Sequence, residues 1–221
     1  MPQFIRDLAQ QAVADSCLGH QYTRSEGQMK LVNVLSDFYA ERLGRKLDPM
    51  KEIVTTVGAS EGINHQVAEC DLFLAIYAIV QAFIDPGDEA ILIQPFFDIY
   101  PMCIKLAGGV PVYVNLKPAK TPAETSDDWK LDFNQLRKAI KPGKTKLLFL
   151  NNPHNPIGKV FTREELENVA AIAREFDLIV VADEVYETLV YSDSVTPMIK
   201  FGMLHSLLQN LHWHSLTGRN V

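Results

Sequence analysis

Cysteine is scarce and scattered: Cys17, Cys70 and Cys103 are the only 3 in 221 residues, and no CxxC pair occurs. That excludes a disulfide framework and a thiolate metal knuckle, and it sets the expectation of a reducing, cytoplasmic setting. Basic residues are outnumbered, 21 Lys and Arg against 27 Asp and Glu, for a net charge of -6. With no basic stripe or Arg-rich arm, neither nucleic acid nor an anionic membrane surface is an expected partner. Long apolar runs are also missing. The longest, LFLAIYAIVQAFI, is too short to span a bilayer and is closed by Asp85-Pro86-Gly87, so it reads as a buried helix. The opening MPQFIRDLAQQAVAD mixes both signs of charge and lacks the basic and apolar regions of a secretory leader. Neither GxGxxG nor GxxxxGK[ST] is present, which disfavours a dinucleotide fold or a P-loop. No lysine follows Lys200.

What is present is ordinary globular material, 47% hydrophobic and 22% charged, enough for one large domain or two small ones. Apolar residues recur at helical spacing over residues 4–13 and 31–43, with Gly44 placed to cap the second helix. Short apolar or β-branched strands then alternate with helices. EIVTTVG precedes a helix from Leu72, and AILIQPF precedes one around residues 102–106. PVYVNL follows, then a helix on LDFNQLRKAI with Asp132 as N-cap, and finally KLLFL, TREELENVAAIAREF and LIVVADE. Thr162 and Glu165 have the spacing of a capping box. TPAETSDD reads as an exposed polar loop. Strands apolar on both faces require covering layers on both sides, so the predicted class is α/β, a three-layer α/β/α with a mostly parallel sheet.

Ligands of such sheets sit beyond the carboxyl ends of the strands, and four of those ends carry unusual residues. Gly58-Ala59-Ser60-Glu61-Gly62 offers backbone amides suited to a phosphate, though a plain strand-to-helix turn explains it equally. Pro95-Phe96-Phe97 sets an aromatic ring at a strand end, either to stack on a flat ligand or to fill the core. NNPHNPIGKV holds Asn152, Pro153, Asn155, Pro156 and Gly158 on a loop stiffened by proline; an Asn amide there can donate to a ligand oxygen or close an Asx turn. In LIVVADEVY, Asp183 ends a strand expected to be central, where a carboxylate needs a cation or strong donors. A protonated pyridine nitrogen would serve, and Tyr186 three residues on could reach a phenolic oxygen of the same ring. Together these describe pyridoxal 5′-phosphate, whose ring is an electron sink while its nitrogen is protonated.

QYTRSEGQMKLVNVLSDFY, VTTVGAS, IQPFFDIYPMCIKLAGG, NNPHNPIGKV and VVADEVYE resemble the fold-type I PLP-dependent aminotransferases, and most closely the kynurenine–oxoglutarate transaminase and cysteine-S-conjugate β-lyase group. Asn155 and Asp183 stand 28 residues apart, counted as 183 less 155, as in that family. The resemblance implies a truncated PLP-transferase large domain and transfer of an amino group from a kynurenine, aromatic or sulfur amino acid to a 2-oxo acid, with β-lyase side activity. It implies cofactor contacts from Ala59, Ser60, Phe97, Asn155, Asp183 and Tyr186, and from Tyr22 across a dimer interface. A mitochondrial location is also compatible with the family.

The family's Schiff-base lysine, about thirty residues beyond the DEVY tyrosine, has no counterpart in GMLHSLLQNLHWHSLTGRNV. The expectation is therefore no catalytic residue, weak non-covalent cofactor binding, and a chain that is either inactive or a truncated isoform pairing with a full-length subunit. The expected organisation is a helical segment 1–50 carrying the dimer contact, a partial cofactor domain 51–201 with an apparent insertion at 63–71, and a divergent tail 202–221. No small domain is expected within these residues. His205, His212 and His214 lack further ligands, so no metal is expected in the tail. Its leucine spacing suggests a short helix over the sheet edge.

Overall fold

The computed structural model describes residues 1–15, 20–56 and 73–190. Six helices, α1 (Gln3–Ala14), α2 (Met29–Leu43), α3 (Phe73–Phe83), α4 (Ile99–Leu106), α5 (Phe133–Ala139) and α6 (Arg163–Phe176), accompany five strands, β1 (Glu89–Gln94), β2 (Val110–Pro118), β3 (Trp129–Leu131), β4 (Thr145–Asn151) and β5 (Ile179–Asp183). The sheet order is β3-β2-β1-β4-β5, parallel throughout except for β3, which pairs antiparallel with β2.

Alternation within the apolar strands builds two cores. Ile91, Ile93, Leu148 and Leu150 point to the face covered by α5 and α6, where Leu136, Leu166, Val169 and Ile172 are buried. Ala90, Leu92, Leu147, Phe149 and Val181 point to the other, where α3 and α4 bury Ile76, Val80, Tyr100, Cys103 and Ile104. Uniformly apolar strands thus mean what a sheet covered on both faces demands, with each fully buried aliphatic side chain contributing about 1.5–3 kcal/mol.

Local signals hold the helices in place. Gly44 caps α2 with φ 66°, a left-handed conformation costly for any side chain. Asp132 accepts from the backbone amides of Asn134 and Gln135 at the start of α5. The Thr162/Glu165 capping box is formed at α6, each side chain bonded to the other's backbone amide.

Three expectations change. The described part of EIVTTVG, residues 52–56, is not a strand. Its β-branched residues serve instead to hold the turn of QYTRSEG, with the Thr55 amide donating to Glu26 O at 2.8 Å and the Thr55 hydroxyl to the same oxygen at 3.1 Å. The polar stretch TPAETSDD ends in a 3₁₀ turn, Ser126–Asp128, closed by its own capping box between Thr125 and Asp128, and it feeds β3. Finally, β5 is an edge strand among the described residues and not a central one. Asp183 is nevertheless buried, because α4 reaches over the end of the strand.

Candidate cofactor site

The chain leaves β1 in one direction to build β2 and β3, then returns to place β4 on the other side of β1. The crevice beyond the carboxyl ends of β1 and β4 is therefore the switch point, where α/β sheets of this kind take ligands. Three segments converge on it: the turn into α4 after β1, the proline loop after β4, and the turn after β5.

After β4, Asn151 organises the loop. Its side-chain amide donates to Asp183 O at 3.0 Å and its side-chain oxygen accepts the Asn155 amide at 2.6 Å. Asn152 adds a backbone bond to Asp183 O at 2.9 Å and accepts the Phe161 amide at 3.0 Å. The loop closes on itself where the His154 amide donates to Lys159 O at 2.8 Å, and Gly158 takes φ 66° at the turn. These bonds bring the Asn155 side-chain amide to 3.5 Å from the Tyr186 hydroxyl, both half-buried. One ligand oxygen could accept from both.

After β5, Asp183 is 8% exposed. Burial pushes its ionisation upward, opposed by the Tyr100 hydroxyl, 2.5 Å from Oδ2, and by the Val185 amide, 3.2 Å from Oδ1. Among the described residues no cationic side chain pairs with it. Beside it, Glu184 is pushed up to about 8 by burial, with Glu187 and Asp183 adding their repulsion. Glu187 in turn pairs with Arg42 of α2 at 2.8 Å, and that guanidinium lies 4.1 Å from the Phe38 ring.

The predicted site residues are thus partly assembled. Asn155, Tyr186 and Asp183 come together at neighbouring strand ends. Phe97 is half-buried at the entrance to α4, edge-on to Tyr100 with ring centroids 6.1 Å apart. Tyr22 is fully exposed. Ala59 and Ser60 lie outside the described residues, as do the 63–71 insertion and the tail with its histidines. Sequence reading missed Asn151, although its place as the last residue of an apolar strand was a signal. It also missed Tyr100, for which no local signal existed.

The side chains suit a hydroxypyridine ring: a buried carboxyl with no cationic partner among the described residues for a protonated nitrogen, and two converging polar groups for a ring oxygen. His154 has a different character. It is 4% exposed, and neither ring nitrogen has a hydrogen-bond partner among the described residues. Burial, with the nearby Lys159 ammonium, holds its pKa down to about 4. The stability this contributes is present above the unfolded histidine value of about 6.5 and is lost as pH falls toward 4, because protonation would bury an unpaired imidazolium. Urea midpoints of the chain are expected to fall across that window, and His154→Phe is expected to flatten the slope there.

The chain belongs to the aminotransferase class I and II family, whose model matches residues 2–214. Among curated proteins it is 40% identical over 193 residues to kynurenine–oxoglutarate transaminase 1 of Rattus norvegicus, covering 86% of this chain and 42% of that protein. It is 40% identical over 194 residues to kynurenine–oxoglutarate transaminase 3 of Homo sapiens, covering 86% of this chain and 39% of that one. The chain therefore spans about two fifths of the length of these relatives. Among solved structures, Bna3p of Saccharomyces cerevisiae superposes with a TM-score of 0.80 at 35% identity, over 95% of this chain and 46% of that one. The aromatic aminotransferase of Pyrococcus horikoshii superposes with a TM-score of 0.75 at 29% identity, over 95% and 48%. No helix among the described residues is long and apolar enough to cross a membrane.

Proposed function

We propose that these 221 residues form the ring-gripping part of a kynurenine–oxoglutarate-type aminotransferase and bind pyridoxal 5′-phosphate. The observation that carries the reading is the buried, cation-free carboxyl of Asp183 beside the Asn155–Tyr186 pair. When bound, the cofactor supplies an electron sink that weakens the Cα–H bond of an amino acid. Asp183 holds the proton on the ring nitrogen by charge, and Asn155 and Tyr186 orient the ring through its hydroxyl oxygen. Phe97 would cover the ring, and Ala59 and Ser60 would contribute to holding the phosphate, as the family resemblance implies. The likeness to the kynurenine transaminases supports kynurenine, aromatic or sulfur amino acids as amino donors and a 2-oxo acid as acceptor, with β-elimination from cysteine conjugates as a side reaction.

Residues 201–221 contain no lysine, and we infer that the 221-residue chain alone holds the cofactor weakly, without a covalent link, and does not turn over. Full exposure of Tyr22 favours a second reading. In it the chain pairs with another copy, or with a full-length subunit, and presents Tyr22 to the neighbour's phosphate.

The test is an assay of kynurenine and 2-oxoglutarate with cofactor, followed by borohydride reduction and mass spectrometry. The expected result is no turnover and no site-specific lysine adduct. A specific adduct that survives competition by a phosphate ester, together with turnover, overturns the inference of inactivity.

A further inference from the structure

Tyr100 lies in the first turn of α4, directly after β1, and is 3% exposed. Its ring is fixed on two sides. It stacks on Phe149 of β4, centroids 5.1 Å apart at 30°, and meets Phe97 edge-on at 81°. Held this way, the phenol reaches across β4 to the tip of β5, and its hydroxyl sits 2.5 Å from Oδ2 of Asp183. The reach joins residues 83 apart in sequence, so no local fold preference creates it.

We propose that Tyr100 is a positioning residue: its hydroxyl donates to Asp183 Oδ2, fixes the plane of that carboxyl and holds it as a carboxylate before any ligand arrives. The groups that face Asp183 make this arrangement consequential. From α4, the described contact to the carboxyl is the Tyr100 hydroxyl. The turn after β5 supplies Tyr186, the Val185 amide, and Glu184, which burial and the neighbouring Glu187 and Asp183 charges keep protonated up to about 8. The end of β4 supplies Asn151 and Asn152, which do not titrate and which bond the backbone oxygen of Asp183, not its carboxyl. Burial thus opposes ionisation, and among the described residues the Tyr100 hydroxyl and the Val185 amide favour it. Burial likewise keeps the phenol protonated, so the phenol is the donor of the pair. The value of a pre-ionised, pre-oriented Asp183 rests on the cofactor reading; the hydrogen bond itself does not.

The experiment separates the two. In the chain without added cofactor, Asp carboxyl carbons are labelled with ¹³C and titrated by NMR, the Asp183 signal being assigned by its loss in Asp183→Asn. In Tyr100→Phe, which keeps the ring packing, the Asp183 midpoint is expected to rise by roughly one to two in pH, the equivalent of one hydrogen bond to a charged group. The acid limb of pyridoxine 5′-phosphate binding, measured by calorimetry, is expected to move with it. Identical Asp183 midpoints in the two proteins overturn the proposal. If Tyr100→Phe does not fold, the wild-type hydroxyl proton decides. A downfield resonance of Tyr100 that disappears in Asp183→Asn supports the hydrogen bond, and its absence from the wild type overturns it. A shifted midpoint without ligand binding at any pH supports the Tyr100–Asp183 link and overturns the cofactor reading.

Discussion

Glu165→Ala is expected to destabilise the chain by about 3–5 kcal/mol, the cost of leaving a buried charge without its partner. The charge is Lys159, whose side chain is 0% exposed and whose ammonium lies 3.0 Å from Glu165 Oε2. Among the described residues its ammonium also lies 4.9 Å from the Phe161 ring centroid. Glu165 Oε2 also accepts the Thr162 amide at 2.9 Å, so the same substitution opens the capping box at the start of α6. Domains of this size are stable by about 5–15 kcal/mol in total, so the loss is a large fraction of the whole. It also reaches the site: Lys159 is the far end of the loop that carries Asn155, closed by the His154–Lys159 backbone bond. Urea unfolding of wild type, Glu165→Ala and the double variant Lys159→Met/Glu165→Leu checks the argument. The double variant is expected to recover most of the loss, because removing both charges removes the desolvation problem as well.

Asp183→Asn is the second large effect, on binding and not on stability. Asparagine keeps the shape, and its single oxygen can accept the Val185 amide while its NH2 faces the Tyr100 hydroxyl as a donor, but it cannot supply the negative charge that a protonated ring nitrogen needs. Truncating one side of a buried, hydrogen-bonded charge pair costs about 2–5 kcal/mol, which at about 1.4 kcal/mol per decade is roughly 30-fold to several thousand-fold in affinity for pyridoxine 5′-phosphate. Stability is expected to move the other way. A carboxyl whose folded pKa is raised contributes stability below its unfolded value and loses it as pH rises through the folded one. The asparagine variant is therefore expected to be no less stable than wild type at neutral pH, and its stability should vary less with pH above 4.

Much of the frame was legible because its signals are local. Apolar runs such as KLLFL specify strands buried on both faces. Asp132, Thr162 with Glu165, and Gly44 mark helix ends by chemistry confined to one turn. The residues Asn155, Asp183 and Tyr186 could be picked out because a polar residue directly beyond an apolar strand is conspicuous. What was not legible depends on distant partners. IVTT in residues 53–56 has the composition of a strand, yet its Thr55 is bound to Glu26, 29 residues earlier. WKL in β3 is too short and too mixed to stand out, and it is defined by pairing with β2. Among the described residues β5 lies at the edge of the sheet, a position in the strand order that no window of sequence records. Tyr100 fell before the helix expected around residues 102–106, and its role shows only because α4 begins at Ile99 and carries the phenol to the end of β5.

The most direct test of the ring-gripping site is the ratio of two affinities at neutral pH: pyridoxine 5′-phosphate against its analogue with CH in place of the ring nitrogen. Neither ligand can form a covalent link, and both present the same phosphate and hydroxyl, so the ratio isolates what Asp183 contributes. The predicted result is tighter binding of the pyridine by roughly 30-fold or more in wild type, collapsing toward unity in Asp183→Asn. Equal affinities in the wild-type chain would contradict the assignment of Asp183 as the partner of the ring nitrogen, and with it the proposed site.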